Sequence, residues 1–272
     1  MREPELSKDF VWRYDLEEEE FVRFIFSMAQ PIHLWDAECD YSELLRDNPH
    51  RAYVIAIENF MTVIVNRFKS LNLLDRMFAY DSFPISTPEG SIFRYDWIRI
   101  LLDVLLSRLT SIRDCCFLFA AELYELGLDP RRVNLAILER SIGDKEVTVL
   151  LKGITDAARG IRDERDRHLH RGEQRELTDE SDQIFELLSR SEGESHPRFA
   201  FTKTDGTNHS VEMDLAQMHS KAIEKIRNEY HREGDQLLKL TRELFIASGS
   251  EFEKRWAKKR DVAKCVRSWE GP

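Results

Sequence analysis

The chain has 272 residues, of which 11 are glycine, 8 are proline and 42% are hydrophobic. Glycine and proline fall well short of the roughly 12% of an average chain, which excludes collagen-like and Gly/Pro-rich disordered classes and argues against a turn-rich all-β fold. With a net charge of −10 the molecule as a whole repels nucleic acid and anionic lipid, so any nucleic-acid contact requires a local basic patch.

The acidic N-terminus, MREPELSKDFVWRYDLEEEE, has no apolar signal core. No apolar run approaches the roughly 20 residues of a spanning helix, so no membrane contact is expected. The four cysteines (39, 115, 116 and 265) lack zinc-finger spacing, and Cys115 and Cys116 are adjacent. Reduced thiols and a cytoplasmic location are the expectation.

Residues 16–30 open on an acidic turn followed by FVRFIF and read as a helix. Residues 51–79 carry Ile55, Ile57, Phe60, Ile64, Phe68, Leu71 and Leu74 at mostly three-four spacing, a second helix beginning near Asn48-Pro49. Residues 80–91 hold two prolines and a glycine and read as a loop. Residues 92–126 are the most apolar stretch: Ile98, Leu102, Leu105, Leu109, Ile112, Cys116, Phe119 and Leu123 form one stripe, and Leu106, Phe117 and Ala121 a second surface. A helix apolar on most sides is a central helix. Gly127 is the expected cap of its C-terminus, and Asp129-Pro130 the expected start of a helix to Ile142.

A further helix is expected from Gly143-Asp144 to Gly172, with a short one over 178–190. FAFTK-TDGTN-HSVEM predicts a hairpin at 199–213. Asp214 and Gln217 predict the cap of a helix running to about Ala247. The fold class is therefore all-α, a bundle of at least six helices with one small β-hairpin. Its expected divisions are an N-terminal helical region at 1–80, a bundle at 92–247 and a basic C-terminal tail at 248–272.

No Gly-rich phosphate loop, HExxH, GxSxG or Rossmann fingerprint is present. One segment stands out: Arg162-Asp163-Glu164-Arg165-Asp166-Arg167-His168-Leu169-His170. Arg165-Asp166-x-x-x-His170 resembles the signature of the HEPN superfamily, an arginine followed by Asn, Asp or His, with four to six residues between that arginine and a histidine; here four intervene. Arg227-Asn228-Glu229-Tyr230-His231 is one residue too short for it. The resemblance covers residues 92–247 and departs from the commonest form in having Asp166 in place of Asn.

The resemblance implies a helical bundle and a metal-independent endoribonuclease that cleaves RNA by attack of its own 2′-hydroxyl, in a defence or toxin–antitoxin setting. It implies no cofactor and no metal, and Arg165, Asp166 and His170 as the catalytic set. Such a reaction needs a group near neutral pKa to move a proton, which is histidine. It also needs a fixed cation for the pentavalent phosphate, which is arginine. A catalytically inactive HEPN-like module that binds nucleotides or proteins is the alternative reading.

At 100° per residue, Arg165 and His168 continue the apolar stripe from Ile161, whereas His170 lies about 140° round from Arg165. The signature cannot close within one straight helix, so a homodimer with a composite site is expected, as in HEPN proteins. An antitoxin or other protein partner goes with that setting. Arg162 and His168 are expected to support the site. So are Arg113 and Asp114, the latter ending a polar seam of Asp103, Ser107, Thr110 and Asp114 on the central helix. In the basic tail, Lys258, Lys259 and Arg260 are candidates for RNA phosphates and Trp256 for base stacking.

Overall fold

With few breakers to interrupt them, the periodic apolar segments fold as long helices. The computed structural model describes residues 13–34, 41–171, 177, 186, 198–202, 206–212 and 214–269; the side chains of 41, 44, 169, 170, 198, 199, 201, 202, 208–212 and 262–269 lie outside this set. Among the described residues the helices are α1 (Glu20–His33), α2 (Tyr41–Asp47), α3 (Pro49–Phe78), α4 (Arg94–Leu123), α5 (Leu135–Ser141), α6 (Lys145–Ala157), α7 (Arg159–Arg171) and α8 (Leu215–Trp269). Two antiparallel ribbons accompany them, β1 (Ile85–Thr87) with β2 (Gly90–Ile92) and β3 (Arg198–Thr202) with β4 (Asn208–Glu212). The class is the expected one, an all-α helical bundle with small β-hairpins.

β3–β4 is the hairpin expected over 199–213, with Phe199 paired to Val211. β1–β2 falls on the stretch read as a loop, 80–91, with only Ile92 beyond it. Thr87 pairs with Gly90 across the Pro88-Glu89 corner, and Gly90 has a φ of 148° that glycine adopts without steric cost. The helix expected over 178–190 falls outside the described residues apart from Glu186.

Several boundaries differ from the sequence reading. α4 does not close on Gly127. Its left-handed residue is Glu125 (φ 51°), whose N–H donates to the Glu122 carbonyl at 2.9 Å while Leu126 N–H donates to Ala121 O at 3.0 Å. Those two bonds make a Schellman motif with a glutamate where glycine is usual. Asp129-Pro130 opens only a 3₁₀ turn, Pro130–Arg132; α5 starts later, capped by Asn134, which accepts from Ile137 N–H at 3.1 Å.

The single helix expected from Gly143-Asp144 to Gly172 is two, α6 and α7, separated at Ala158. Asp144 does cap α6, accepting from Glu146 N–H at 2.9 Å. Asp214 likewise accepts from Gln217 N–H at 3.0 Å and opens α8. That helix continues past Ala247 to Trp269, so the basic segment is helical and continuous with it. Burial of Leu244, Ser248 and Phe252 carries its inward face through the Ser-Gly-Ser sequence. Ser248 hides its hydroxyl on the Leu244 carbonyl at 2.7 Å.

The chain divides into two compact units, each built from discontinuous stretches rather than from the linear segments 1–80, 92–247 and 248–272. Unit 1 holds 1–72, 109–159 and 235–272; unit 2 holds 73–108 and 160–234. Phe252 organises unit 1. It stacks on Tyr53 with centroids 5.4 Å apart and meets Phe21 and Phe24 edge-on at 5.8 and 6.1 Å. Phe119 and Phe245 extend the cluster at 5.2 Å. Unit 2 buries Phe78, Ile98, Leu102, Leu105, Ile161, Met218, Ile226 and Tyr230. No described helix is long and apolar enough to cross a membrane.

α4 carries a buried residue in nearly every turn, on more than one side, from Tyr95 to Leu123. Leu105→Ala or Ile112→Ala is expected to cost about 2–5 kcal/mol in urea unfolding, and a loss under about 1 kcal/mol would show α4 to be peripheral.

His219 of α8 is buried in unit 2, and burial together with the Arg94 charge pushes its pKa down to about 4. The unfolded chain takes up a proton on this histidine below about pH 6.5, whereas the folded chain does so only near 4. Stability from this group is therefore present above 6.5 and lost as pH falls towards 4. The urea midpoint is expected to drop across that window and to drop less in His219→Gln. Equal pH slopes in the two proteins would contradict this assignment.

Candidate functional site

α7 brings most of the signature residues to the side of unit 2. Ile161 is buried and anchors the helix. Arg165 and His168 continue its face and are half-buried, with side chains 24% and 15% exposed. Arg165 donates from Nε and Nη2 to one oxygen of Asp166 at 3.0 and 2.7 Å. Arg162 Nε lies 3.7 Å from the other oxygen. Asp166 thus draws both arginines together and fixes the orientation of Arg165. His170 belongs to the last turn of α7, and its side chain lies outside the described residues.

His168 turns towards α4. Its Nε2 is 2.6 Å from Oδ1 of Asp103, a close polar contact off the hydrogen-bond direction. The polar seam of α4 thus does meet the signature helix, but through Asp103 rather than Asp114. Asp114 and Arg113 lie in unit 1 and pair with each other at 2.5 Å, the Arg113 guanidinium resting 5.5 Å over the Phe117 ring.

A second constellation in unit 2 involves Arg227 and His231, the pair one residue too short for the signature. Arg227 of α8 makes a two-pronged contact with Asp75 of α3, Nε to Oδ1 at 2.7 Å and Nη2 to Oδ2 at 2.9 Å. His231 Nε2 meets Oδ1 of the same carboxylate at 3.0 Å. Burial raises the pKa of Asp75, but hydrogen bonds from His231 and Arg227 outweigh it and hold the carboxyl below its ordinary value. The signal was available: residues four apart share a helix face, so Arg227 and His231 meet one acceptor.

The tail candidates lie in unit 1. Arg260 rests 4.7 Å over the Trp256 ring, so one face of that ring already carries a cation. Lys259 reaches Glu125 at 2.5 Å and lies 5.5 Å over the Tyr53 ring. Lys258 is exposed. A cavity of about 440 Å³ opens here beside Pro49, lined by Glu125, Glu251, Lys254, Arg255, Lys258 and Lys259. Of these, Arg255, Lys254, Glu251 and Glu125 had no role in the sequence reading.

Cys115 and Cys116 are buried free thiols. Burial pushes the Cys116 pKa up to about 12 and raises that of Cys115 against the pull of Arg67, which leaves neither disposed to act as a nucleophile. Among the described residues no group of three or more His, Cys, Asp or Glu side chains is placed to hold a metal ion. No family model, no curated protein and no solved structure matches the chain.

Because the Asp75 pKa is depressed, its contribution to stability is present above about pH 4 and lost as pH falls below that. Asp75→Asn is expected to lower stability by about 1–3 kcal/mol at pH 7, the range for breaking hydrogen bonds to charged groups, and to flatten the acid limb of the profile. Chemical unfolding at pH 7 and pH 3 measures both; an unchanged acid limb would remove Asp75 from the account.

Proposed function

We propose that the chain is a metal-independent endoribonuclease of the HEPN kind, working as a homodimer. The observation that carries this reading is the Arg165–Asp166 pair. A guanidinium at the edge of α7 is fixed through two hydrogen bonds to its neighbour, so the entropy of presenting a cation to phosphate is met in the fold rather than during the reaction.

In the proposed reaction the RNA 2′-oxygen attacks the adjacent phosphorus and loses its proton. The bond from phosphorus to the 5′-oxygen breaks, and the leaving oxygen takes up a proton. The products are a 2′,3′-cyclic phosphate and a 5′-hydroxyl. His170 moves the proton, and Arg165 stabilises the charge gathering on the phosphate oxygens. Asp166 orients Arg165, and the Asp103–His168 contact holds α7 to α4. Lys258, Lys259, Arg260 and Trp256 are the proposed contacts for flanking RNA.

The dimer is supported by exposed apolar side chains in unit 2: Leu73 and Met77 along α3, Tyr80 just after it, and Ile100 and Val104 along α4. Trp97 Nε1 donates to Met77 O at 3.0 Å, which joins the two helices beside this surface. Exposed apolar surface is a common mark of protein contact where it forms a patch.

Purified chain incubated with labelled RNA in EDTA is expected to give 2′,3′-cyclic phosphate ends. His170→Ala is expected to slow cleavage by about 10²–10⁴-fold. Arg165→Lys is expected to be impaired too, since lysine lacks the planar donor set, and activity is expected to fall on dilution to monomers. Full activity in His170→Ala, or a metal requirement, overturns the nuclease reading in favour of a binding module.

A further inference from the structure

The cavity of about 440 Å³ in unit 1 differs in kind from the signature helix. Four cations of α8 line it, Lys254, Arg255, Lys258 and Lys259, against two carboxylates, Glu125 and Glu251. The cations form two columns at i, i+4 spacing. Within one turn of a helix such like charges repel.

The inner column is anchored. Arg255 donates from Nε to Glu251 at 2.6 Å and from Nη1 to Tyr124 O at 3.0 Å and Glu125 at 3.3 Å, with its guanidinium 5.3 Å over the Tyr124 ring. Among the described residues Arg255 Nη2 has no hydrogen-bond partner. Lys259 is tied to Glu125. The outer column is held more loosely: the Lys254 side chain is 78% exposed and donates to Glu251 at 3.4 Å, and Lys258 is exposed with no ion pair among the described residues.

Glu125 is the point on which the arrangement turns. It occupies left-handed backbone at the end of α4, a conformation that costs a non-glycine residue free energy. Glycine there would close the helix with less strain but would remove the carboxylate that holds Arg255 and Lys259. The two carboxylates orient the inner cations without cancelling the set, which leaves a formal excess of two positive charges at the cavity.

We infer that this cavity is a binding site for a phosphomonoester dianion carried on an organic body. The charge excess matches a group bearing close to two negative charges near neutral pH. The volume exceeds the need of a bare phosphate and lies within the usual range of roughly 300–1,000 Å³ for small-molecule sites. Held guanidinium nitrogens with a donor to spare suit phosphate oxygens, and the lysines act as point charges at the mouth. The ligand is either a free phosphomonoester or the terminal phosphate of an RNA. The site lies in unit 1, so it stands whether or not the signature helix cleaves RNA.

The test is calorimetric titration of the full chain with adenosine 5′-monophosphate, adenosine, and one short RNA bearing either a 5′-phosphate or a 5′-hydroxyl. The monophosphate or the phosphorylated RNA is expected to bind, and adenosine and the 5′-hydroxyl RNA to bind at least about tenfold more weakly. Lys254→Gln with Lys258→Gln, both at exposed positions, is expected to weaken binding at least about tenfold with an unchanged melting curve. His170→Ala is expected to bind as the parent does. Binding of the monophosphate alone identifies a small-molecule site, and binding of the phosphorylated RNA alone identifies an RNA end. Absence of binding by both, equal binding of adenosine, or an unaffected double variant overturns the inference.

Discussion

α4 is apolar on more than one side, and hiding those sides requires neighbours around it. In unit 1 its C-terminal half supplies Cys116, which touches Thr241 of α8 at 3.9 Å, and Phe119, which meets Phe245. Tyr53 of α3 donates its hydroxyl to the Leu123 carbonyl at 2.8 Å, satisfying one of the acceptors that the end of α4 leaves open. In unit 2 its N-terminal half supplies Ile98, Leu102 and Leu105 to the core and Trp97 to the α3 backbone. A smaller residue at Ile112 leaves a void that surrounding helices, held by their own contacts, fill only in part.

Polar groups on so apolar a helix are affordable only where a partner waits. Asp103 meets His168, which lies on the same face of α7 as the buried Ile161, so that face is held by a polar contact as well as an apolar one. Asn72 shows the same economy in unit 1. Although buried, it accepts from Tyr14 N–H at 3.0 Å and donates to Tyr14 O at 2.9 Å, which holds the segment before α1 in place.

The helices were legible because their stripes are long and their caps conventional: Asp144, Asp214 and Pro49 each sit where a sequence reading puts them. What escaped was decided by tertiary contact. Nothing in the stripe Val147, Leu151, Ile154, Ala158, Ile161 signals a break, since Ala158 keeps both the spacing and the apolar character and is buried on either reading. Gly127 is left-handed as well, but α4 closes on Glu125, whose carboxylate finds Arg255 and Lys259 about 130 residues downstream, beyond the reach of local pattern. The run of lysines and arginines looked like a tail because its charge masks the buried faces of Ser248 and Phe252.

Spacing explains why the two Arg/His pairs behave differently. Four residues advance a helix by about 40° beyond a full turn, so Arg227 and His231 lie on one face and share the carboxylate of Asp75. Five residues advance it by about 140°, so Arg165 and His170 cannot share an acceptor on one neighbouring helix. The first pair closes on itself as a three-residue cluster within unit 2. The second leaves Arg165 with the adjacent Asp166 as its orienting partner, and a histidine backbone position on another side of α7. In the proposed reading, a site that needs both Arg165 and His170 therefore requires a second surface, and a second copy of the chain is the proposed source of it.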